Sequence, residues 1–576
     1  MTRLVNAAAE FAREALEGFV AAHQDYVLAV HGGVVRAAAT PPGQVAVVLG
    51  GGSGHYPAFA GWVGPGFAHG AACGNTFASP AANQIHSVAR AAEAGGGVIL
   101  GFGNYAGDIL HFGQAAERLR ADGIDVRTIA VVDDIASAPS EQRHRRRGVA
   151  GDLIVFKIVC AAAEAGLDLA AVTAIGQRAN TATRSFGIAF DGCTLPGADH
   201  PLFTVDGGQM AIGLGIHGEP GIGAKPLPSA DEVADLLVDE ILDEAGADGS
   251  GSRVAVLVNG LGSIKYEELF VIYRRVAHRL QRAGLTIVRP VVGEHVTSLN
   301  MAGLSLSLTF LDDDLEAYWI APADAPAFQR RPAPQHPPRP ALPAAPIRPQ
   351  PRPAPPAAQM GATRVAQALA AVRDVVLAHE TRLGEIDAVA GDGDHGIGMA
   401  RGSMAAAEAA AAAVTEQAGV RGLMVAAADA WAERAGGTSG ALWGAALTAA
   451  GAALDDDQLP APGDVVRAVT AAVETIVRLG GAQPGDKTMV DAAVPFQQVL
   501  TAETAAGASL AAAWSVAAAS ATAAAEATAR IPARLGRART HGDRSIGAPD
   551  AGAISFALIV TALTDHVATD QPGEQG

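Results

Sequence analysis

The chain has 576 residues, 49% of them hydrophobic and 17% charged, with a formal net charge of −18. Its length passes the ~250–300 residues at which a single core stops growing, so two or more domains are expected, and the apolar fraction excludes a disordered polar chain. The acidic balance, without a long Lys/Arg patch, argues against nucleic acid as a partner. In chain order, the first predicted element is a helix over residues 1–23. Glu10, Arg13, Glu14 and Glu17 interrupt its apolar pattern, so it reads as amphipathic and not as a signal peptide. Short β-branched runs follow at 44–50, 96–102, 127–132, 252–259 and 285–292, with helical stretches such as 151–166 between them. Strand and helix in alternation predict an α/β domain with much parallel sheet.

Between Pro332 and Pro356 stand 12 prolines, with Arg339, Arg348 and Arg352 and no acid. Such a segment is a semi-rigid spacer, and it sets the expected boundaries: an α/β domain at 1–325, a linker at 326–358 and a second domain at 359–576. Beyond it strand signals nearly vanish. Ala-rich segments with helical periodicity at 361–380, 399–418, 421–435, 464–479, 489–503, 506–529 and 551–567 predict an all-α helical barrel or bundle. The uncharged run 504–525 is long enough to span a bilayer, but it is mostly Ala, Ser and Thr, so it reads as a helix of that bundle. Cys73, Cys160 and Cys193 are odd in number and lack metal spacing, which predicts buried thiols in the cytoplasm.

The 68 glycines gather in loops that suit chemistry. Gly50 to Gly54 and His55 follow an apolar strand, where open α/β sheets place ligands. Gly103 to Asp108 follows the next strand and ends on a carboxylate. A third string, Gly213 to Gly221, holds His217 and a formal GxGxxG, but Pro220 stands where a dinucleotide-binding helix would start. Two histidines and an aspartate on such loops suit nucleophilic and acid–base work on a carbonyl compound. In the second domain Asp387, Asp392 and Asp394 lie within eight residues, interleaved with glycine. They are hard oxygen ligands suited to Mg²⁺. Gly436 to Gly440, Gly485 to Met489 and Gly542 to Gly552 complete a set of glycine and hydroxyl loops at helix ends. Lys487 imitates a phosphate-binding P-loop, but Asp486 intrudes and a helix precedes it, so that reading fails. What remains suits polyphosphate held by Mg²⁺ and helix N-termini.

With GGGSGH, GNYAGD and GIHGEPG followed by GDGDHG, GGTSG, PGDKTM and GDRSIG, nearly the whole chain resembles the single-chain, ATP-dependent dihydroxyacetone kinases. The resemblance implies a first domain that holds a ketose as a hemiaminal on His217, with His55 and Asp108 as the acid–base pair. It implies a substrate loop of Gly52, Ser53, Gly54 and His55, with Gly103 near the substrate. It implies two Mg²⁺ ions on Asp387, Asp392 and Asp394, and ATP contacts at His395, Gly396, Ile397, Gly398, Thr438, Ser439, Gly480, Met489, Arg537, Asp550, Ala551 and Gly552. A homodimer, possible in a domain-swapped form, and the absence of a membrane partner are further expectations.

Three departures from the family pattern stand out. Tyr56 replaces a glutamate, Gly103 stands where a lysine often precedes NYTGD, and Ala551 replaces a proline. The extra room at Gly103 favours a four-carbon ketose such as D- or L-erythrulose, with dihydroxyacetone as the alternative. Fusion of both domains without a carrier domain favours exchangeable ATP over a phosphoprotein donor. The three aspartates argue against a sugar sensor without turnover.

Overall fold

The computed structural model describes residues 4–219, 221–246, 253–332, 353–535, 539 and 542–568. The chain divides into two compact units, Met1–Arg339 and Pro340–Gly576. The proline-rich expectation falls largely on residues outside those described.

The first unit holds strands β1 (Val27–Val30), β2 (Gly33–Arg36), β3 (Ala46–Ser53), β4 (Gly70–Thr76), β5 (Val98–Gly103) and β6 (Val126–Val131) in one sheet, ordered β1-β2-β4-β3-β5-β6. From β4 to β6 the pairing is parallel, and β1 and β2 add an antiparallel edge. The second sheet holds β7 (Thr183–Asp191), β8 (Gln209–Ile212), β9 (Gly223–Pro226), β10 (Arg253–Gly260), β11 (Thr286–Ile287), β12 (Val291–Gly293) and β13 (Ala302–Leu311). Its main path is antiparallel, β10-β13-β7-β8-β9, so most of the parallel pairing expected for the domain lies in the first sheet. Buried hydroxyl pairs seal this sheet: Thr183 Oγ1 lies 2.8 Å from Thr309 Oγ1 and Ser185 Oγ 2.5 Å from Ser307 Oγ. The run expected at 285–292 is broken into two short strands at Arg289, whose φ is +47°, and Pro290.

Helices α1 (Phe11–Ala22), α2 (Ala82–Ala92), α3 (Ala106–Ala121), α4 (Asp152–Glu164), α5 (Leu169–Ala182), α6 (Ala230–Ala245), α7 (Tyr266–Arg282) and α8 (Asp313–Ile320) complete the unit. Period-two alternation decides the layers. Val47 and Leu49 of β3 face a core shared with α4 and α5, whereas Ala46 and Val48 face α2 and α3. In β10, Ala255 and Leu257 join that same shared core, while Val254, Val256 and Val258 pack with α6 and α7. The order is therefore helices, sheet, helices, sheet, helices. Every residue of α4 from Asp152 to Ala163 is buried, as a helix between two sheets requires.

In the second unit α9 (Pro356–Ala388), α10 (His395–Thr415), α11 (Val420–Ala435), α12 (Gly437–Ala452), α13 (Pro462–Gly480), α14 (Val490–Ala505), α15 (Leu510–Ala527) and α16 (Ala551–Ala562) pack each against the next, and α16 closes the ring on α9. A short α17 (Thr564–Ala568) follows. The ring encloses an apolar hollow of about 150 Å³ lined by Trp431, Trp443, Trp514, Phe496 and Phe556. The run 504–525 lies mostly in α15, whose Ala513, Ala517, Ala521 and Ala525 are fully buried. No helix among the described residues is long and apolar enough to cross a membrane. All three cysteines are free, Cys160 and Cys193 buried and Cys73 half-buried.

Up-and-down connectivity has a direct consequence. The N-termini of α10, α12, α14 and α16 and the C-termini of α9, α11, α13 and α15 gather at one end of the ring.

Candidate active site

In the first unit β3 runs into the string Gly52 to His55. A Cβ on Gly52 would lie 2.7 Å from the Ala78 nitrogen, and Gly54 has a φ of +98°, so the strand end must be glycine to pass the Phe77 loop. The Ser53 hydroxyl donates to the Gly74 carbonyl at 2.6 Å. His55 is buried, with Nδ1 2.7 Å from the Thr297 carbonyl and Nε2 3.0 Å from Nε2 of His217, 162 residues away in sequence. Phe77 stacks on His55 at 5.0 Å between ring centroids, and Tyr105 stands edge-on to His217 at 4.9 Å.

His217 sits on the turn between β8 and β9. Its Nδ1 donates to Glu219 Oε1 at 2.9 Å and its backbone N–H to Glu219 Oε2 at 3.0 Å. Arg147 lies behind that carboxylate, 4.0 Å from Glu219 Oε2, and is anchored by Asp134 at 2.7 Å and by the Gly213 carbonyl at 3.1 Å. Here the glycine pattern has a use other than nucleotide binding. A Cβ on Gly215 would fall 2.0 Å from Glu219 Oε2 and 2.6 Å from an Arg147 nitrogen.

Electrostatics follow burial and pairing. Burial, then the neighbouring charge of His217, pushes His55 down to about 3, so its ring is neutral. Burial opposes ionisation of Glu219, but the hydrogen bond and charge of His217 outweigh it and hold the carboxyl at about 2. Asp108, in the first turn of α3, is buried, and burial raises its carboxyl against the pull of Ser79 and His217. Its Oδ1 meets no hydrogen-bond donor among the described residues. Gly103 is buried beside Tyr105: a Cβ there would meet the Gly148 carbonyl and the Tyr105 ring at 3.4 Å. Tyr56 is half exposed and turns its ring toward Phe19 of α1, at 6.0 Å, and not toward the histidine pair.

In the second unit the site forms at the end of the ring where the four N-termini open. Carboxylate oxygens of Asp387, Asp392 and Asp394 lie within 4.8 Å of one another. Gly391 N–H donates to the Asp387 carbonyl at 2.6 Å and Gly393 N–H to Asp387 Oδ2 at 2.9 Å, which bends the loop around that residue. Three oxygen donors this close repel unless a cation intervenes, so they fit Mg²⁺ by donor chemistry. His395, Gly396, Ile397 and Gly398 form the first turn of α10. His395 Nε2 lies 3.0 Å from Ser555 Oγ on α16, and burial lowers its basicity.

Thr438 and Ser439 stand in the first turn of α12, Gly480 ends α13, and Met489 precedes α14. Asp550 caps α16, accepting from Ala553 N–H at 2.7 Å, and burial, with the charge of Asp491, pushes it up to about 7. Ala551 and Gly552 follow in the same turn, where a Cβ on Gly552 would lie 3.4 Å from Met489. Arg537 lies outside the described residues.

Lys487 is buried, and its Nζ donates to the carbonyls of Ile531, Ser545 and Ala548 at 3.2, 2.5 and 2.8 Å. Its charge ties one loop to another. Asp491 accepts from Gly485 and Thr488 N–H at 2.6 and 2.7 Å and holds the same loop. Sequence reasoning assigned no role to Glu219, Arg147, Thr297, Tyr105, Phe77 or Asp491. Only Glu219 carried a signal, standing two residues after His217 in the same glycine string.

Comparison with known proteins gives two domain matches, a Dak1 domain over residues 17–327 and a DAK2 domain over residues 389–565. The chain is 57% identical to the L-erythrulose kinase of Pectobacterium atrosepticum, over 99% of this chain and 97% of that one. It is 52% identical to the D-erythrulose kinase of Mycolicibacterium smegmatis, over the full length of both. Among solved structures, the dihydroxyacetone kinase from C. freundii in complex with AMP-PNP and Mg²⁺ matches with a TM-score of 0.59 at 29% identity, covering 98% of this chain and 99% of that one.

Proposed function

Because the chain belongs to the Dak1–DAK2 family of ketose kinases, we propose that it is an ATP-dependent phosphotransferase acting on a terminal hydroxyl of a short-chain ketose, with the four-carbon erythrulose preferred. One observation carries this reading: the same chain holds a histidine pair, His55 and His217 at 3.0 Å, and a three-carboxylate cluster at a ring end where helix N-termini open. The relatives named as L- and D-erythrulose kinases support the four-carbon substrate, as does the lack of a side chain at Gly103 beside Tyr105.

In this reading His217 Nε2 adds to the ketone carbon, so recognition rests on bond formation and excludes polyols that lack a carbonyl. Asp108, whose burial raises its basicity, takes the proton of the hydroxyl that attacks the γ-phosphate. Asp387, Asp392 and Asp394 would hold Mg²⁺, which when bound neutralises charge on the phosphate oxygens. The first turns of α10, α12 and α16 offer their N–H groups to nucleotide phosphates, with Thr438 and Ser439 adding hydroxyls. The unpaired thiols support a reducing, cytoplasmic setting. The proline-rich tether supports a homodimer in which one chain's nucleotide domain serves another.

An ADP-release assay with D-erythrulose, L-erythrulose, dihydroxyacetone and glycerol tests the reading. Turnover is expected with the ketoses, fastest with an erythrulose, and not with glycerol. His217→Ala should remove the mass adduct between protein and ketose while nucleotide binding stays. No ADP with any ketose would overturn the kinase assignment, and glycerol turnover the hemiaminal.

A further inference from the structure

The hydrogen bonds around the histidine pair fix where its protons are. An imidazole in its neutral form has one donor and one acceptor nitrogen. Among the described residues, Nδ1 of His55 meets only a carbonyl, that of Thr297, and so must donate. Nδ1 of His217 faces the Glu219 carboxylate and so must donate too. Both Nδ1 protons are therefore committed, and the two Nε2 atoms, 3.0 Å apart, would oppose lone pair to lone pair. One further proton between them removes the conflict. The pair then carries a single positive charge, and the ionised Glu219, backed by Arg147, stands ready on the far side of His217 to balance it.

We propose that Glu219 is a positioning residue for the hemiaminal reaction: it locks His217 with Nδ1–H toward the carboxylate and Nε2 toward His55, and thereby stores one proton between the rings for delivery to the ketone oxygen. This rests on the ketose-kinase reading above. The balance is complete without any co-reactant. As the ketone approaches, the shared proton passes transiently to Nε2 of His55, whose ring is neutral at rest, which frees the lone pair of His217 Nε2. That lone pair forms the N–C bond, the π electrons of the carbonyl pass to its oxygen, and the oxygen takes the proton from His55. The product is a carbinol on an N-alkylated imidazolium, whose charge Glu219 already faces. Reversal by the same steps releases the ketose.

Glu219 is built in and not merely nearby. It accepts from both the Nδ1 and the backbone N–H of His217, and Gly215 must lack a side chain for the carboxylate to fit. Arg147, two salt-bridge steps from His217, is itself held by the buried Asp134, so the row from Asp134 to His55 is anchored at both ends, by the Arg147–Asp134 pair and by the Thr297 carbonyl.

The test uses full-length protein with ¹⁵N-labelled histidine. In the unsubstituted chain His217 should show a protonated Nδ1. In Glu219→Gln the amide donates to Nδ1 in the carboxylate's place, so the proton should move to Nε2. The ketose adduct should then weaken about 10- to 100-fold, by analogy with the loss of the outer partner of a metal-bound histidine. ATP affinity should stay unchanged, which controls for folding, and Glu219→Asp should recover part of the adduct. A Glu219→Gln chain with an unaltered His217 tautomer and full adduct would overturn the proposal. A Glu219-dependent tautomer beside no adduct in the unsubstituted chain, with every ketose, would overturn the hemiaminal reading instead and leave the proton placement standing.

Discussion

At the scale of single residues, the two sites use charge in opposite ways. His55 and Asp108 are buried and Glu219 is half-buried, so their protonation follows from neighbours at fixed distances, whereas Asp392 and Asp394 are exposed and Asp387 is half-buried. The three-carboxylate cluster therefore depends on what it binds. Asp392→Asn should weaken Mg²⁺–ATP binding by at least about tenfold, since a carboxylate ligand to a hard cation is lost, without altering the ketose adduct. Titration calorimetry with Mg²⁺–ATP checks this, and an unchanged affinity would remove Asp392 from the ligand set.

At the scale of elements, loops are held by buried polar ties and not by their glycines alone. Lys487, with a φ of +63°, gives its ammonium to three carbonyls of the segment that leads to Asp550. Lys487→Met leaves those carbonyls without a donor and should destabilise the helical unit by roughly 1–3 kcal/mol. Denaturant unfolding followed by tryptophan fluorescence measures it, and a loss below a few tenths of a kcal/mol would refute the tie.

Strands β3, β5, β6 and β10 announce themselves because they are β-branched, and the three aspartates because they are close in sequence. Helix α12 does not: Gly437, Gly440, Gly444 and Gly451 dilute its helix propensity and leave no amphipathic stripe, because the helix packs by close approach to α11. β4, reading GAACGNT, lacks the residues that mark a strand and is held by its neighbours on both sides. Meeting of His55 with His217, and the role of Glu219, depend on two sheets being stacked, and no local pattern encodes that.

At the scale of the whole molecule, the two units have separate cores: none of the residues packed around α4 and the two sheets recurs among those inside the helical ring. Calorimetry should accordingly resolve two unfolding transitions. Erythrulose should raise one and Mg²⁺–ATP the other, each as ligand binding to the folded form requires. A single transition raised equally by either ligand would contradict this.

Because the ring runs up and down, the turns at 416–419, 453–461 and 506–509 all lie at the end away from Asp387, Asp550 and the four open N-termini. None of them contributes a residue to the proposed nucleotide site. They are the positions where the helical unit can lengthen, shorten or accept a foreign segment while its chemistry is left alone, so diversification of this half of the molecule has one face on which to be conservative and another on which to experiment.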